Sequence, residues 1–483
     1  MTHPAKDRCD ALIADELVRA ETTFEDIDPG TGELLAEVSR CGSAHIDQAV
    51  SAAREAFTQD WGRRPPSERA DVLQRLAGLL RRDHEDLSQL ESLDTGKPLT
   101  QARADIQTAA RYFDFYARTV EAVFGDTIPL KSDLHVYTAR EPHGVTGHII
   151  PWNYPAQMIG RSIAPALAAG NCCVLKPAEE APLSSVRIAR LGLEAGLPAG
   201  AFNVVPGLGH EAGAALASHP GINHLSFTGS TEVGRLVAKA AAENVVPVTL
   251  ELGGKSPNIV FADADLGRAI PRIVASLIQN AGQTCSAGSR LLVHHHVHDA
   301  VRDGVVSVFR SLQLGHGLND PDLGPLITER QRTRVADLVE VGRSQAQLIT
   351  GGSAPDRRGL GGGYFFEPTL FDNVDPEAPI AKEEIFGPVL AVTPFRSLDE
   401  VIALANATSY GLVAGVWTRD LLSANVLARE IDAGQVFVNT YGAGGGVELP
   451  FGGRRLSGHG REKGFEGLLA FTRIKTVVID FSA

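Results

Sequence analysis

Apolar residues recur at helical spacing over residues 67–93, which predicts one helix with Ser67 as its N-cap. From about residue 145 the pattern changes to short β-rich runs that alternate with amphipathic stretches. Alternation of strand and helix at this spacing predicts an α/β fold with a doubly wound, parallel sheet. The predicted strands are 145–150, 172–175, 202–205, 223–227 and 246–250, with helices at 186–195 and 231–242 among the connections.

A second α/β unit is predicted further along the chain. It begins with a strongly amphipathic helix at 263–280. The strands predicted after it are 289–293, 389–395, 412–417 and 435–439. Two extended segments, 124–140 and 471–481, fit neither unit. We expect them to form a protruding sheet or a contact between subunits.

Composition narrows the classes of protein. A chain of 483 residues is long enough for two or three domains. Its net charge of −13 offers no basic surface to nucleic acid or to an anionic membrane, and it has no apolar run of roughly 20 residues. The five cysteines are scattered and odd in number, and the N-terminus lacks the apolar segment of a signal peptide. We therefore expect a cytoplasmic protein with neither a nucleic-acid nor a membrane partner.

The candidate chemistry centres on Cys285. It lies in a loop of small residues, 282–288, directly after the helix predicted at 263–280, and Glu251 precedes it by some thirty residues. A cysteine with a nearby carboxylate suggests a nucleophile and its base. A buried, inert cysteine and a glutamate in a surface ion pair are the more common fates of these residue types, so both interpretations stand at this point.

A second candidate site lies where the strand predicted at 223–227 meets the helix at 231–242. Gly229 and Gly234 give the spacing G-x-x-x-x-G rather than the usual dinucleotide fingerprint. The N-terminus of a helix offers free N–H groups to a pyrophosphate. No metal site is predicted at 294–296, because consecutive histidines on a strand point to opposite faces.

Seven short blocks, in order, resemble the aldehyde dehydrogenase superfamily, and the resemblance runs from about residue 28 to residue 477. The blocks are 151–155 (PWNYP), 176–179 (KPAE), 227–231 (FTGST), 251–255 (ELGGK), 282–288 (GQTCSAG), 384–388 (EIFGP) and 450–453 (PFGG). The resemblance implies an aldehyde dehydrogenase-like fold with a split, Rossmann-type NAD-binding domain (1–124 and 144–252). It further implies an α/β catalytic domain (253–454) and a small oligomerisation sheet (125–143 and 469–483). A homodimer or a homotetramer is then expected.

The resemblance also implies an NAD(P)-dependent reaction that oxidises a small-molecule aldehyde to an acid. Cys285 would attack the aldehyde and carry the thioester, and the Asn153 amide with the Cys285 N–H would stabilise the oxyanion. Glu251 would activate the hydrolytic water, which favours the hydrolytic over the CoA-acylating type. The expected cofactor residues are Trp152, Lys176, Glu179, Gly209, Thr228, Gly229, Ser230, Gly253, Glu384 and Phe386. The Glu179 carboxylate favours NAD, while Lys176 leaves NADP possible.

Two departures from the family's pattern bear on the substrate. Arg161-Ser162 replaces a pair that ends in lysine, which leaves open whether a proton relay through Glu462 operates. Glycines at 444–446 replace an aromatic wall, which predicts a roomier pocket and a bulky, aromatic or terpenoid aldehyde. That pocket is expected to be formed by Tyr154, Met158, Arg161, Tyr441 and Phe451.

Three alternatives stay open for the function. The first is a semialdehyde dehydrogenase, in which a substrate carboxylate pairs with Arg161. The second is esterase activity through the same thiol, because an acyl-cysteine formed from an ester would also be hydrolysed. The third is a catalytically silent structural relative.

Overall fold

The computed structural model describes residues 8–355, 360–442 and 446–482 of the chain. The strands are β1 (Ala11–Ile13), β2 (Glu16–Val18), β3 (Thr23–Ile27), β4 (Leu34–Ser39), β5 (Thr127–Ile128), β6 (Leu134–Pro142), β7 (Val145–Ile149), β8 (Cys172–Lys176), β9 (Phe202–Val204), β10 (His224–Thr228), β11 (Val248–Glu251), β12 (Pro257–Val260), β13 (Arg290–His294), β14 (Gln347–Thr350), β15 (Thr369–Asp372), β16 (Val389–Phe395), β17 (Tyr410–Gly411), β18 (Val413–Trp417), β19 (Gln435–Val438), β20 (Arg454–Arg455), β21 (Gly458–His459) and β22 (Thr472–Asp480).

The α-helices are α1 (Ser43–Gln59), α2 (Pro66–Arg82), α3 (His84–Thr95), α4 (Leu99–Thr119), α5 (Pro155–Met158), α6 (Ala164–Ala169), α7 (Leu183–Ala195), α8 (Ala214–Ser218), α9 (Thr231–Glu243), α10 (Leu266–Ile278), α11 (His298–Ser311), α12 (Glu329–Arg343), α13 (Pro379–Lys382), α14 (Leu398–Ala405), α15 (Leu421–Glu430) and α16 (Gly464–Ala470). A π-helical turn, Ile159–Ile163, joins α5 to α6. None of the described helices combines the length and the apolar composition that a bilayer crossing requires.

The first large sheet has the strand order β2-β1-β9-β8-β7-β10-β11-β21. Its five central strands are parallel, and they are the five strands predicted between residues 145 and 250. The doubly wound α/β class is therefore confirmed. Because carboxyl ends of parallel strands meet at one edge, this sheet gathers there Lys176 of β8, Thr228 of β10, Glu251 of β11 and the segment that follows β7.

The second large sheet has the order β14-β15-β16-β13-β12-β18-β19 and is parallel except for the edge strand β14. The four strands predicted here are confirmed as β13, β16, β18 and β19. The central strand β12 and the strands β14 and β15 were not predicted. Helix α10 packs its apolar face against helix α11 and the core of this sheet, and it ends just before the Cys285 loop.

A third sheet joins the two extended segments that fitted neither unit. Strand β22 pairs antiparallel with β6 over nine residue pairs, from Thr472 opposite Pro142 to Asp480 opposite Leu134, and β5 completes the sheet. Most of β22 is exposed in the single chain. The role of this sheet in oligomerisation, like the predicted domain boundaries, stays a prediction.

The helix predicted at 67–93 is wrong in one respect, because two helices occupy the segment. Helix α2 ends before Asp83, whose φ of −93° and ψ of 18° break the helical path, and α3 continues from His84. Nor is Ser67 the N-cap, since Pro65 holds that position without a side-chain hydrogen bond. Both helices place leucines in the core, so their shared apolar pattern hid the break from the sequence.

Candidate active site

The loop that carries Cys285 starts with an unusual run of backbone conformations. Asn280, Ala281 and Gly282 all have positive φ, at 48°, 55° and 77°. A Cβ on Gly282 would lie 2.3 Å from the carbonyl oxygen of Gly387, so only glycine fits there. This left-handed run reverses the chain after α10, and Cys285 comes to lie on the wall of a cavity.

Asn153 is held against this loop. Its Nδ2 donates to the carbonyl of Gln283, two residues before the cysteine, at 2.9 Å. The carbonyl of Asn153 itself accepts from Lys97 Nζ at 2.8 Å and from Asn280 Nδ2 at 3.0 Å. The segment that follows β7 and the cysteine loop are therefore tied together at the position where the resemblance implied an oxyanion donor.

Glu251 ends strand β11 and is buried. Its Oε2 lies 3.2 Å from Arg161 Nη2, and the Arg161 Nε contacts the carboxylate of Glu462. Arg161 belongs to the π-helical turn between α5 and α6, a distortion that is frequent at functional sites. The guanidinium thus bridges two buried carboxylates. Glu462 also accepts from Ser226 Oγ at 3.0 Å.

The electrostatics of this cluster shift two pKa values. Burial raises the pKa of Glu251 well above its usual range, against the lowering effect of Arg161. Burial also raises the pKa of the Cys285 thiol to about 11; Arg161 and Lys463 lower it, and Glu384 and Glu251 raise it. Burial therefore favours the neutral thiol at Cys285 and raises the affinity of the buried Glu251 carboxylate for a proton.

A cavity of about 370 Å³ opens over Cys285. All five residues predicted for the pocket line it: Tyr154, Met158, Arg161, Tyr441 and Phe451. Two hydrogen bonds fix the wall around the thiol. The Tyr154 hydroxyl pairs with Thr284 Oγ1 at 2.6 Å, and the Tyr441 hydroxyl donates to the Ser286 carbonyl at 2.7 Å.

The glycine wall predicted for this cavity is only partly described. Gly446 lines the cavity together with Gly442. Positions 444 and 445 lie outside the described residues. The rest of the described wall mixes aromatic, small and charged side chains.

A second cluster of predicted site residues lies at the carboxyl edge of the first sheet. Lys176 Nζ lies 2.6 Å from the Glu179 carboxylate, which also accepts from the Gly209 N–H at 3.4 Å. The charge of Lys176 helps to hold the pKa of Glu179 below its usual range, against burial. Ser230 caps α9 through its Oγ, which accepts from the Val233 N–H. Thr228 ends β10, and Gly229 follows it in the turn before α9, where its N–H donates to the Glu251 carbonyl at 3.0 Å.

Glu384 follows helix α13 and packs against the segment after strand β11. Its Oε1 accepts from the Gly254 N–H at 2.9 Å, and a Cβ on Gly253 would lie 2.2 Å from its Oε2. Burial raises the pKa of Glu384 to about 7. The rings of Trp152 and Phe386 stand nearly perpendicular to each other, with centroids 5.4 Å apart.

A sequence model described as the aldehyde dehydrogenase family matches residues 17–477. The chain belongs to this family. A crystal structure of an aldehyde dehydrogenase from Burkholderia cenocepacia is 51% identical, with a TM-score of 0.96 over 98% of this chain and 100% of that one. The NAD⁺ complex of the Bacillus cereus aldehyde dehydrogenase is 42% identical, with a TM-score of 0.96 over 99% and 97% of the two chains. Human retinal dehydrogenase 2 is 44% identical over 94% of this chain and 88% of its own length.

Membership confirms the predicted enzyme class, an NAD(P)-dependent aldehyde dehydrogenase. The residues present also fit a dinucleotide. The capped N-terminus of α9 adjoins the turn at Gly229, and Gly253 leaves no space for a Cβ beside Glu384. An ionised Glu179 next to Lys176 offers acceptors for ribose hydroxyls.

Two lysines of this aldehyde dehydrogenase were missed from the sequence. Lys97 is fully buried and reaches Asn153 from the segment between α3 and α4. Lys463 lines the cavity beside Phe451, with its ammonium 4.9 Å from the ring centroid. Each precedes a proline or a glycine, a context typical of an exposed turn, so only the tertiary contacts reveal them.

Proposed function

We propose that this aldehyde dehydrogenase oxidises its substrate through a covalent intermediate on Cys285, with Glu251 as the base and Asn153 as an oxyanion donor. The observation that carries the proposal is the tie between Asn153 and the Cys285 loop, at a cavity that the Arg161–Glu251 pair adjoins. A nucleophile, a base and an amide donor are the groups that acyl chemistry on a thiol requires.

In the first half of the reaction, Glu251 takes the proton of the Cys285 thiol, and the sulfur forms a bond to the carbonyl carbon. The amide of Asn153 and the backbone N–H of Cys285 donate to the oxygen as it becomes negative. When bound, the nicotinamide of NAD accepts the hydride that leaves this carbon. The carbonyl then re-forms, and a thioester remains on Cys285.

In the second half, Glu251 has returned its proton to solvent and activates a water molecule. The hydroxide adds to the thioester carbon, the C–S bond breaks, and the sulfur leaves as a thiolate. Arg161 contacts both Glu251 and Glu462, but a guanidinium does not give up its proton near neutral pH. We therefore propose that protons leave Glu251 through cavity water, and that Arg161 positions the carboxylates.

For the cofactor, we propose that Lys176 and Glu179 hold the adenosine ribose and that the start of α9 holds the pyrophosphate. Glu384 would hold the nicotinamide ribose, with Trp152 and Phe386 beside the ring. The negative charge of Glu179 would repel a 2′-phosphate, so we propose a preference for NAD over NADP.

For the substrate, we propose a bulky aldehyde. A cavity of about 370 Å³ with aromatic walls supports a group larger than the methyl of acetaldehyde. One relative, human retinal dehydrogenase 2, is named for a large aldehyde. A clear preference for acetaldehyde over benzaldehyde in kcat/KM would contradict this part of the proposal.

Formation of NADH, followed with a panel of aldehydes, tests the chemistry. We expect Cys285→Ala to abolish turnover, while Cys172→Ala, which changes a buried cysteine of β8, serves as the matched control. We expect Glu251→Gln to slow the first burst of NADH, because the thiol loses its base, and to lose roughly 10²-fold or more in steady-state turnover. Turnover by Cys285→Ala, or wild-type turnover by Glu251→Gln, would contradict the assignments.

The cellular location and the assembly also stay proposals. All five cysteines are free, which supports the cytoplasm as a reducing compartment. The exposed strand β22 supports a homodimer or a homotetramer. Light scattering of the purified protein distinguishes these states from a monomer.

A further inference from the structure

The charge of the cavity differs from the charge of the chain. Acidic residues outnumber lysine and arginine by 13 in the whole protein. The described wall of the cavity over Cys285 nevertheless carries three cations, Arg161, Arg272 and Lys463, and no aspartate or glutamate. A cationic pocket in an acidic protein attracts anions to that place.

Arg161 is not the cation available to a ligand. Its guanidinium already contacts Glu251 and Glu462, and it stacks over the ring of Phe451 at 4.4 Å. A substrate carboxylate that paired with Arg161 would have to displace one of these buried glutamates and leave it without a counterion. That displacement is costly, so two cations remain for recognition.

Lys463 is held at the cavity surface without a counterion. Its ammonium lies over the same ring of Phe451, and within the described residues it forms no ion pair. Its backbone has φ of 59°, a conformation that side-chain-bearing residues rarely adopt. Burial and the charge of Arg161 lower the pKa of Lys463 to about 8. An anion bound beside the lysine would stabilise its charged form and so offset the cost of burial.

Arg272 adds a second cation on helix α10. It is exposed, lines the same cavity and forms no ion pair among the described residues. An exposed guanidinium at a cavity attracts an approaching anion over about a Debye length.

We propose that the substrate is an aldehyde that also bears a carboxylate, and that Lys463 is the group that recognises the carboxylate, with Arg272 attracting it from solvent. The inference rests on the proposed oxidation at Cys285 and assigns its substrate class. The carboxylate of such a semialdehyde would pair with Lys463 rather than with Arg161. The product of the reaction would carry two carboxylates.

The test uses a matched pair of aromatic aldehydes, 4-carboxybenzaldehyde and 4-formylbenzamide, which differ mainly in charge. We expect wild type to prefer the carboxylate by about tenfold or more in kcat/KM, and the preference to weaken at high salt. Lys463→Met should lower the ratio of the two kcat/KM values by at least tenfold, mainly through KM of the acid. Lys463→Arg should keep most of the preference.

Arg272→Met should reduce the salt dependence, and Arg268→Met, on the same helix but outside the cavity wall, is its control. Equal losses on both aldehydes in Lys463→Met would overturn the proposal, since they would mean that the lysine acts on the thiol. Equal kcat/KM values of the wild type for the two aldehydes would by themselves overturn the proposal. If neither aldehyde yields NADH, the proposed oxidation itself fails, which is a separate outcome.

Discussion

Arg161 is the cation on which the ionisation of Glu251 depends. It bridges Glu251 and Glu462, and all three side chains are buried. Arg161→Met removes the charge and keeps most of the side chain's length. We expect two carboxylates to remain in a low-dielectric site without their shared counterion, so the pKa of Glu251 rises further.

The size of the shift follows from the geometry. Nη2 of Arg161 lies 3.2 Å from Oε2 of Glu251. At an effective dielectric constant of about 20, the attraction over this distance is about 5 kcal/mol. Since about 1.4 kcal/mol corresponds to one pKa unit, the upper bound is an increase of nearly 4 units. Lys463 stays nearby and water can enter the cavity, so we expect an increase of about 1 to 2 units in the pKa of Glu251.

The assay is the pH profile of kcat, which reports ionisations in the enzyme–substrate complex. A general base acts in its ionised form, so a higher pKa moves the ascending limb to higher pH. At a pH on the ascending limb of both enzymes, we expect Arg161→Met to lose about 10- to 100-fold in kcat and to recover as the pH rises. Urea unfolding should show a free energy of unfolding lower by about 3 to 5 kcal/mol.

Two variants control the experiment. Arg161→Lys keeps a positive charge and should keep the limb close to its wild-type position. Adding Glu462→Gln to Arg161→Met removes the like charge that raises the pKa of Glu251, so the limb should return part of the way. If the ascending limb of Arg161→Met is not shifted and kcat falls by the same factor at every pH, the electrostatic role of Arg161 is refuted. The loss would then be explained by altered packing alone.

Two further predictions concern buried charges around the site. The raised pKa of Glu384 means that the folded protein favours its protonated form, so the wild type should lose stability relative to Glu384→Gln as pH rises from about 4.5 to about 7. Above pH 7 we expect Glu384→Gln to be more stable than the wild type by up to about 3 kcal/mol in urea unfolding. In calorimetry it should bind NAD more weakly than the wild type, whereas the control Glu383→Gln should show neither effect. Equal stabilities of Glu384→Gln and the wild type at pH 8 would contradict this prediction. Lys97→Met leaves the carboxylates around Lys97 without a counterion and the Asn153 carbonyl without one of its donors, so it should lower the free energy of unfolding by about 3 to 5 kcal/mol. The control Lys239→Met changes an exposed lysine of α9 and should leave the free energy of unfolding unchanged. Matching unfolding midpoints for the two variants would show that the buried ion pairs are unimportant.

The parallel strands of the first sheet were predictable because both their faces are buried. Such strands are near-continuous apolar runs, as in Cys172–Lys176, and turn residues separate them from helices. Strand β12 was not predictable, although it is central in its sheet. It begins with Pro257 and Asn258, and the amide of Asn258 is satisfied by Trp417 Nε1 at 3.0 Å and Ser276 Oγ at 3.1 Å. These partners are distant in sequence, so local pattern could not reveal them.

The candidate site was likewise predictable only in part. The positions of Cys285, Asn153 and Glu251 follow from motifs that carry the resemblance to the family. Their electrostatic surroundings do not, because the ion pair between Arg161 and Glu462 spans some 300 residues of sequence. A lysine in the sequence Arg-Glu-Lys-Gly, as at position 463, has the pattern of a solvated turn until the ring of Phe451 is placed beneath it.

The residue pair Arg161-Ser162 connects the two open questions about this enzyme, its proton path and its substrate. The family's pattern has a lysine at position 162, whose ammonium could exchange a proton, whereas here Ser162 donates to the Met158 carbonyl and Arg161 holds its protons. Arg161 pairs with both Glu251 and Glu462, and this pairing removes it from the cations that a substrate can reach. A carboxylate-bearing aldehyde then requires another cation in the cavity, and Lys463 is placed to supply it. The same residue pair would therefore account for water as the proposed proton path and for the proposed recognition of a carboxylate by Lys463, whose ammonium lies over the ring of Phe451.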